Sequence, residues 1–124
     1  MIDFKNAAYL KLSPTSPSTY SKAVDPMLIA GEEVVACFQA IRDGVVFTNK
    51  RIIAINVQGI TGKKVDCTSL PYSKVQSYSI ETAGTFDLDS ELDVWFSGLG
   101  SVRFEFVREV NVAKLSTLIS QAVL

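Results

Sequence analysis

The chain has 124 residues, with 12 Lys+Arg against 13 Asp+Glu, no His and two Cys. A net charge of −1 argues against nucleic acid as a partner, because domains that bind it usually carry a basic excess. The absence of His removes His-dependent triads, His metal ligands and the usual neutral-pH general base.

At 48% apolar residues, the composition is that of one globular domain that needs no metal or disulfide to fold. No stretch approaches the roughly 18 consecutive apolar residues of a membrane span. No signal peptide or lipidation motif is legible. Cys37 and Cys67 form neither a redox pair nor a zinc set, and they read as reduced thiols used as small apolar groups. A cytoplasmic location is the expectation.

Residues 1–18 are the least regular stretch. Phe4, Tyr9, Leu10 and Leu12 precede a Ser13-Pro14-Thr15-Ser16-Pro17-Ser18 cluster. This reads as an irregular arm that docks on its own domain or on a neighbouring subunit. Residues 19–124 read as a single domain. Thr19 to Ala30 predicts a helix that Pro26 shortens or breaks.

From Glu33 the pattern turns to β-branched and aromatic runs. Strands are expected at Val34–Ile41, Val45–Thr48, Arg51–Val57 and Lys63–Leu70, with turns at Arg42-Asp43-Gly44 and Asn49-Lys50 and a loop at Gln58–Gly62. Val75–Thr82 follows Pro71-Tyr72-Ser73. Asp87–Ser97 alternates with period two, and Val102, Phe104 and Phe106 alternate with Arg103 and Glu105. The period then changes. Asn111 predicts an N-cap, and Leu115, Leu118, Ile119 and Ala122 form one apolar stripe on a helix over about 111–124.

The count is seven strands between about 33 and 108, then one helix. This predicts a mainly β fold: a seven-stranded antiparallel sandwich or barrel of two near-orthogonal sheets, capped by the C-terminal helix. The expected core is Val34, Ala36, Phe38, Phe47, Ile53, Ile55, Tyr78, Ile80, Leu92, Val94, Phe96, Val102, Phe104, Phe106, Leu115, Leu118 and Ile119.

Several stretches carry a family likeness. They include Val46-Phe47-Thr48-Asn49-Lys50-Arg51-Ile52-Ile53, Gln58-Gly59-Ile60-Thr61-Gly62-Lys63-Lys64 and Glu81-Thr82-Ala83-Gly84-Thr85-Phe86-Asp87-Leu88-Asp89. With the strand order, they make residues 28–124 resemble the bacterial pleckstrin-homology-like (PH-like) family. The resemblance implies a small non-catalytic cytoplasmic domain that tends to form ring-like homo-oligomers. It offers no catalytic residues.

The charged residues fall in two blocks. Residues 42–64 hold Arg42, Lys50, Arg51, Lys63 and Lys64 against Asp43, a net +4. Of these, Lys50, Arg51, Lys63 and Lys64 are the candidate contacts for an anion or another protein. Residues 81–109 carry a net −5, and Asp87, Asp89, Glu91, Asp93 and Trp95 are the candidate oligomer contacts. The Asp87-x-Asp89-x-Glu91-x-Asp93 run lacks the Gly and the closing Glu of a calcium loop, so no metal is expected. The Gly62-Lys63 loop lacks P-loop spacing. No nucleophile or cofactor motif is present, and no enzyme activity or cofactor is expected. Trp95 reads equally as an interface anchor or as a residue under the helix.

The favoured reading is an interaction or scaffold domain that self-associates, with a second protein as a further partner. The alternative is a peripheral module that binds anionic lipid headgroups through residues 42–64.

Overall fold

The computed structural model describes residues 1–86 and 88–124. Eight strands hydrogen-bond in one unbroken order. β1 is Tyr9–Pro14, β2 Val34–Gln39, β3 Gly44–Thr48, β4 Arg51–Gln58, β5 Lys64–Pro71, β6 Val75–Glu81, β7 Ser90–Phe96 and β8 Gly100–Phe106. Across the sheet they run β5-β4-β3-β2-β1-β8-β7-β6. A four-residue helix, α1 (Ser21–Val24), sits between two 3-10 turns, Pro17–Thr19 and Asp25–Met27. Pro26 lies in the second of these turns, so the broken helix of the sequence pattern is what forms. The C-terminal helix α2 spans Val112–Val123. Asn111 stands at its N-cap position, but its side chain makes no capping hydrogen bond.

The seven strands expected between 33 and 108 all form, as β2–β5 and β6–β8. The eighth corrects the reading of residues 1–18 as an irregular arm. β1 pairs antiparallel with β2 (Ser13↔Gln39) and parallel with β8 (Tyr9↔Phe104, Leu12↔Phe106). It therefore joins the two expected sheets and adds one parallel pairing to an otherwise antiparallel arrangement. A bulge between Tyr9 and Leu12, with Lys11 at φ 56°, turns Tyr9 and Leu12 inward and Leu10 and Lys11 outward. An extra residue thus gives buried positions three apart, which hides the strand from a search for period two. The arm docks on its own domain: the Ile2 N–H donates to Thr68 Oγ1 at 3.0 Å, and the buried Tyr9 hydroxyl donates to the Ile55 carbonyl at 3.2 Å.

The interior is lined from both halves. Phe38, Val45, Phe47, Ile52, Ala54 and Leu70 face Leu92, Val94, Phe96, Val102, Phe104 and Phe106, with Leu115 and Ile119 of α2 against them. Phe38 meets Phe106 edge-on at 4.9 Å between ring centroids, and meets Phe47 at 5.8 Å, a favoured aromatic geometry. A second cluster lies on the outer face of β2–β5. There Tyr20 and Val24 cover Cys37, Val46, Ile53 and Ile55, with Met27 and Leu28 beside them. Every residue of β3 is buried as a result. Ile53 and Ile55 thus belong to this outer cluster and not to the central core, where Ile52 and Ala54 stand instead. Tyr78 and Ile80 are half-buried, and the Tyr78 hydroxyl bonds to Ser120 of α2.

Candidate functional site

Two surface regions of opposite sign emerge, one at the loop end of β2–β5 and one on the outer face of β6–β8. The first is built on the β2–β3 turn, which the Ala40 N–H closes onto the Asp43 carbonyl at 2.9 Å. Asp43 ties this tip to β4, accepting from the Val57 N–H at 2.8 Å and from Asn56 Nδ2 at 3.1 Å. Arg42 ties it to the β4–β5 loop through the Gly59 carbonyl. Gly62 lets that loop approach. Its φ is +66°, and a Cβ there would stand 3.3 Å from Val57 and 3.4 Å from the Arg42 guanidinium.

Of the four expected basic contacts, Lys50, Lys63 and Lys64 are exposed. Arg51 is withdrawn from the set by its own partners. It clamps Glu32 with two 2.8 Å hydrogen bonds, from Nε and Nη2, and it also donates to the Met27 carbonyl and to Ser69 Oγ. The Glu32 side chain is fully buried. Burial would raise its pKa, but hydrogen bonds from Arg51, Thr48 and the Ile29 N–H together hold it below the ordinary value. This pair anchors the 27–33 segment to the strands and leaves Arg51 no free face for a ligand.

The structure adds a cation the sequence reading passed over. Lys22 of α1 shares a groove with Arg42 and Lys63. Its only sequence signal was its place beside the apolar stripe of the broken helix, opposite Val24. The tips that flank the groove also carry apolar residues in water: Ile41 is 95% exposed and Ile60 is fully exposed.

The second region lies on the outer faces of β6, β7 and β8. Register places Glu81 opposite Glu91, and Glu91 opposite Glu105, so three carboxylates form one cross-strand row. Asp89 joins its end, and Asp93 lies one position along. Asp87 lies outside the described residues. Two cations offset the row. Arg103 grips Asp93 with two bonds of 2.8 and 3.1 Å and reaches Glu91 at 3.4 Å. Lys11 of β1 meets Asp89 at 2.6 Å.

The row is under-compensated. A shared hydrogen bond with Asp89 and then burial raise the pKa of Glu105, while burial and the charges of Glu81 and Asp93 raise that of Glu91 against the pull of Arg103. The hydrogen bond from Lys11 leads those that hold Asp89 below the ordinary value. Trp95 stands on this open face, 46% exposed, with its Nε1–H on Gln76 Oε1 at 3.1 Å. It is not under the helix. Among the described residues, no group of three or more potential ligands is placed to hold a metal, and no helix is long and apolar enough to cross a membrane.

Known proteins share this architecture. The chain is 40% identical over 110 residues to the uncharacterized protein YjqA of Bacillus subtilis, an alignment covering 87% of this chain and 88% of that one. It is 29% identical over 106 residues to YozO of the same organism, covering 86% and 91%. A crystal structure of a DUF1696 family protein with a pleckstrin-homology domain from Shewanella loihica superposes with a TM-score of 0.78 at 34% identity, covering 93% of this chain and 99% of that one. A pleckstrin homology domain from Shewanella amazonensis gives 0.64 at 36% identity, covering 96% and 93%. The model of the bacterial PH domain matches residues 3–123, and the chain belongs to that family.

Proposed function

We propose that this PH domain is a non-catalytic interaction module that associates with copies of itself, head to tail, into a closed ring. The separation of charge across the sheet carries the reading. Lys63 and Lys64 lie with Arg42 and Lys22 at the loop end of the β2–β5 half, Lys50 stands at the opposite end in the β3–β4 turn, and carboxylates line the outer face of the β6–β8 half. Two different patches that fit each other make a heterologous contact, which closes into a ring when the rotation allows. Complementary potentials steer the encounter and fix its register.

Sizing chromatography with light scattering tests this. Lys63→Glu with Lys64→Glu shifts the assembly toward monomer. A wild-type chain that is monomeric at tens of micromolar, or a double variant that assembles like wild type, overturns the reading.

The exposure of Ile41 and Ile60 beside Arg42 and Lys63 favours a second reading, a peripheral module on anionic lipid. Apolar tips next to cations suit a headgroup layer. Salt-sensitive sedimentation with anionic vesicles supports it, and its absence at physiological ionic strength removes it.

A further inference from the structure

Each of the two charged regions carries apolar side chains in water. At the loop end of the β2–β5 half, Ala8, Leu10, Ala40, Ile41 and Val57 line a hollow of about 330 Å³. The β1 bulge builds one wall of it: with Lys11 at φ 56°, Leu10 turns outward and is half exposed. Ile41, on the β2–β3 tip, stands almost wholly in water. The two charged residues in the lining are tied to other groups, Arg42 to the Gly59 carbonyl and Asp43 to the Val57 N–H and Asn56. The surface the hollow offers is therefore mainly apolar.

The connection from β6 to β7 has the opposite shape. Phe86 stands on it 99% exposed, and Leu88 follows half exposed. Glu81 ends β6 at the foot of this connection. Glu91 lies opposite it on β7, and Glu105 is next across the sheet. The Phe86 side chain is thus held out from the acidic side of the molecule. The hollow lies on the basic side, where Arg42 binds the β4–β5 loop that leads to Lys63 and Lys64.

A single apolar residue in water is ordinary. Here a protruding aromatic group and an apolar hollow match in shape, and their surroundings are opposite in charge. Interfaces seat aromatic anchors in pockets near their centre and keep charge at the rim, and opposite potentials fix the register. Both halves of the match are on one chain, so the partner they fit is a second copy. They occupy different places on it, so the contact is heterologous.

We infer that Phe86 of one copy inserts into the hollow beside Ile41 of the next, as the apolar anchor of the contact between them. The inference rests on the head-to-tail association proposed above and names the side chains at its centre.

The test uses two variants of the full chain, sized by chromatography with light scattering. Phe86→Ser removes the anchor. Ile41→Asp puts a carboxylate in the hollow, where the acidic surroundings of Phe86 repel it. Both positions are exposed, so unchanged circular dichroism melts show that the fold is intact. Each variant alone is expected to weaken assembly about thirtyfold or more, the scale of a buried aromatic anchor. Each also keeps one working half. An equimolar mixture is therefore expected to form 1:1 dimers and stop there, with Phe86 supplied by the Ile41→Asp copy and the hollow by the Phe86→Ser copy.

Dimers in the mixture, and in neither variant alone, support the pairing. Loss of assembly in only one variant, or a mixture that yields no dimer, overturns it. If both variants assemble like wild type while Lys63→Glu with Lys64→Glu still dissociates the assembly, this anchor falls and the charged contact stands. A wild-type chain that is monomeric at tens of micromolar overturns both.

Discussion

The β2–β5 half and the β6–β8 half of the sheet begin from the same period-two alternation and end in different environments. In the first half, α1 and its flanking turns cover the outer face, so Cys37, Val46, Ile53 and Ile55 are shielded and β3 is buried on both sides. In the second half the outer face stays open and carries Glu81, Glu91, Asp93, Trp95 and Glu105. The doubly covered half holds its one deep ion pair, Arg51–Glu32, as structure. The open half pairs its cations at the surface, Arg103 with Asp93 and Glu91 and Lys11 with Asp89, and leaves its carboxylates in excess. Charge that sits under a cover is paired in a buried site, whereas charge on the open face is paired where water screens it.

Breaking the covered half carries the largest effect. Arg51→Ala leaves Glu32 buried without its counter-charge and costs about 3–5 kcal/mol of stability in urea unfolding. The acid limb reports the same pair. A carboxylate held below its unfolded value of about 4.3 stabilises the fold above that pH, and the contribution is lost as pH falls through the lower folded value. Wild type therefore loses stability on acidification, and Glu32→Gln loses less.

Ile53→Ala, in the outer cluster, costs about 2–5 kcal/mol, whereas Trp95→Ser, on the open face, costs about 1 kcal/mol or less. Equal losses at the two positions would erase the distinction between the halves.

The smallest effect sharpens the view of the open face. Glu105→Gln removes one of three facing carboxylates and stabilises the domain by about 0.2–1 kcal/mol at neutral pH. The folded value of Glu105 is raised, so wild type pays the repulsion only above that value. The gain from Gln fades as pH falls through it toward the unfolded value of about 4.3. A gain that persists unchanged to pH 4 would contradict the raised folded value of Glu105.

What could be read in advance followed from local rules. Strands β2–β8 and helix α2 declare themselves through periodicity and turn residues, and Pro26 breaks its helix where it stands in the chain. β1 could not be read that way. Its bulge at Leu10-Lys11 replaces alternation with buried positions three apart, and its partners Phe104 and Phe106 are some ninety residues distant. The acidic row was legible as a block of like charge, though its pairing by register was not. Arg51 looked like its exposed neighbour Lys50, because nothing nearby in sequence says that Glu32 is folded beneath it. Lys22 was invisible as a site residue, since only the packing of α1 brings it to Arg42 and Lys63.

The sequence by itself determined the class of this protein: a β domain with a C-terminal helix, two blocks of opposite charge and no histidine chemistry. Period, turn chemistry and composition are local properties, and local order expresses them directly. The tertiary structure alone decided which charges are committed and which are free. That choice depends on contacts between residues far apart in the chain, and on whether burial makes an ion pair part of the fold or water leaves a cation for a ligand.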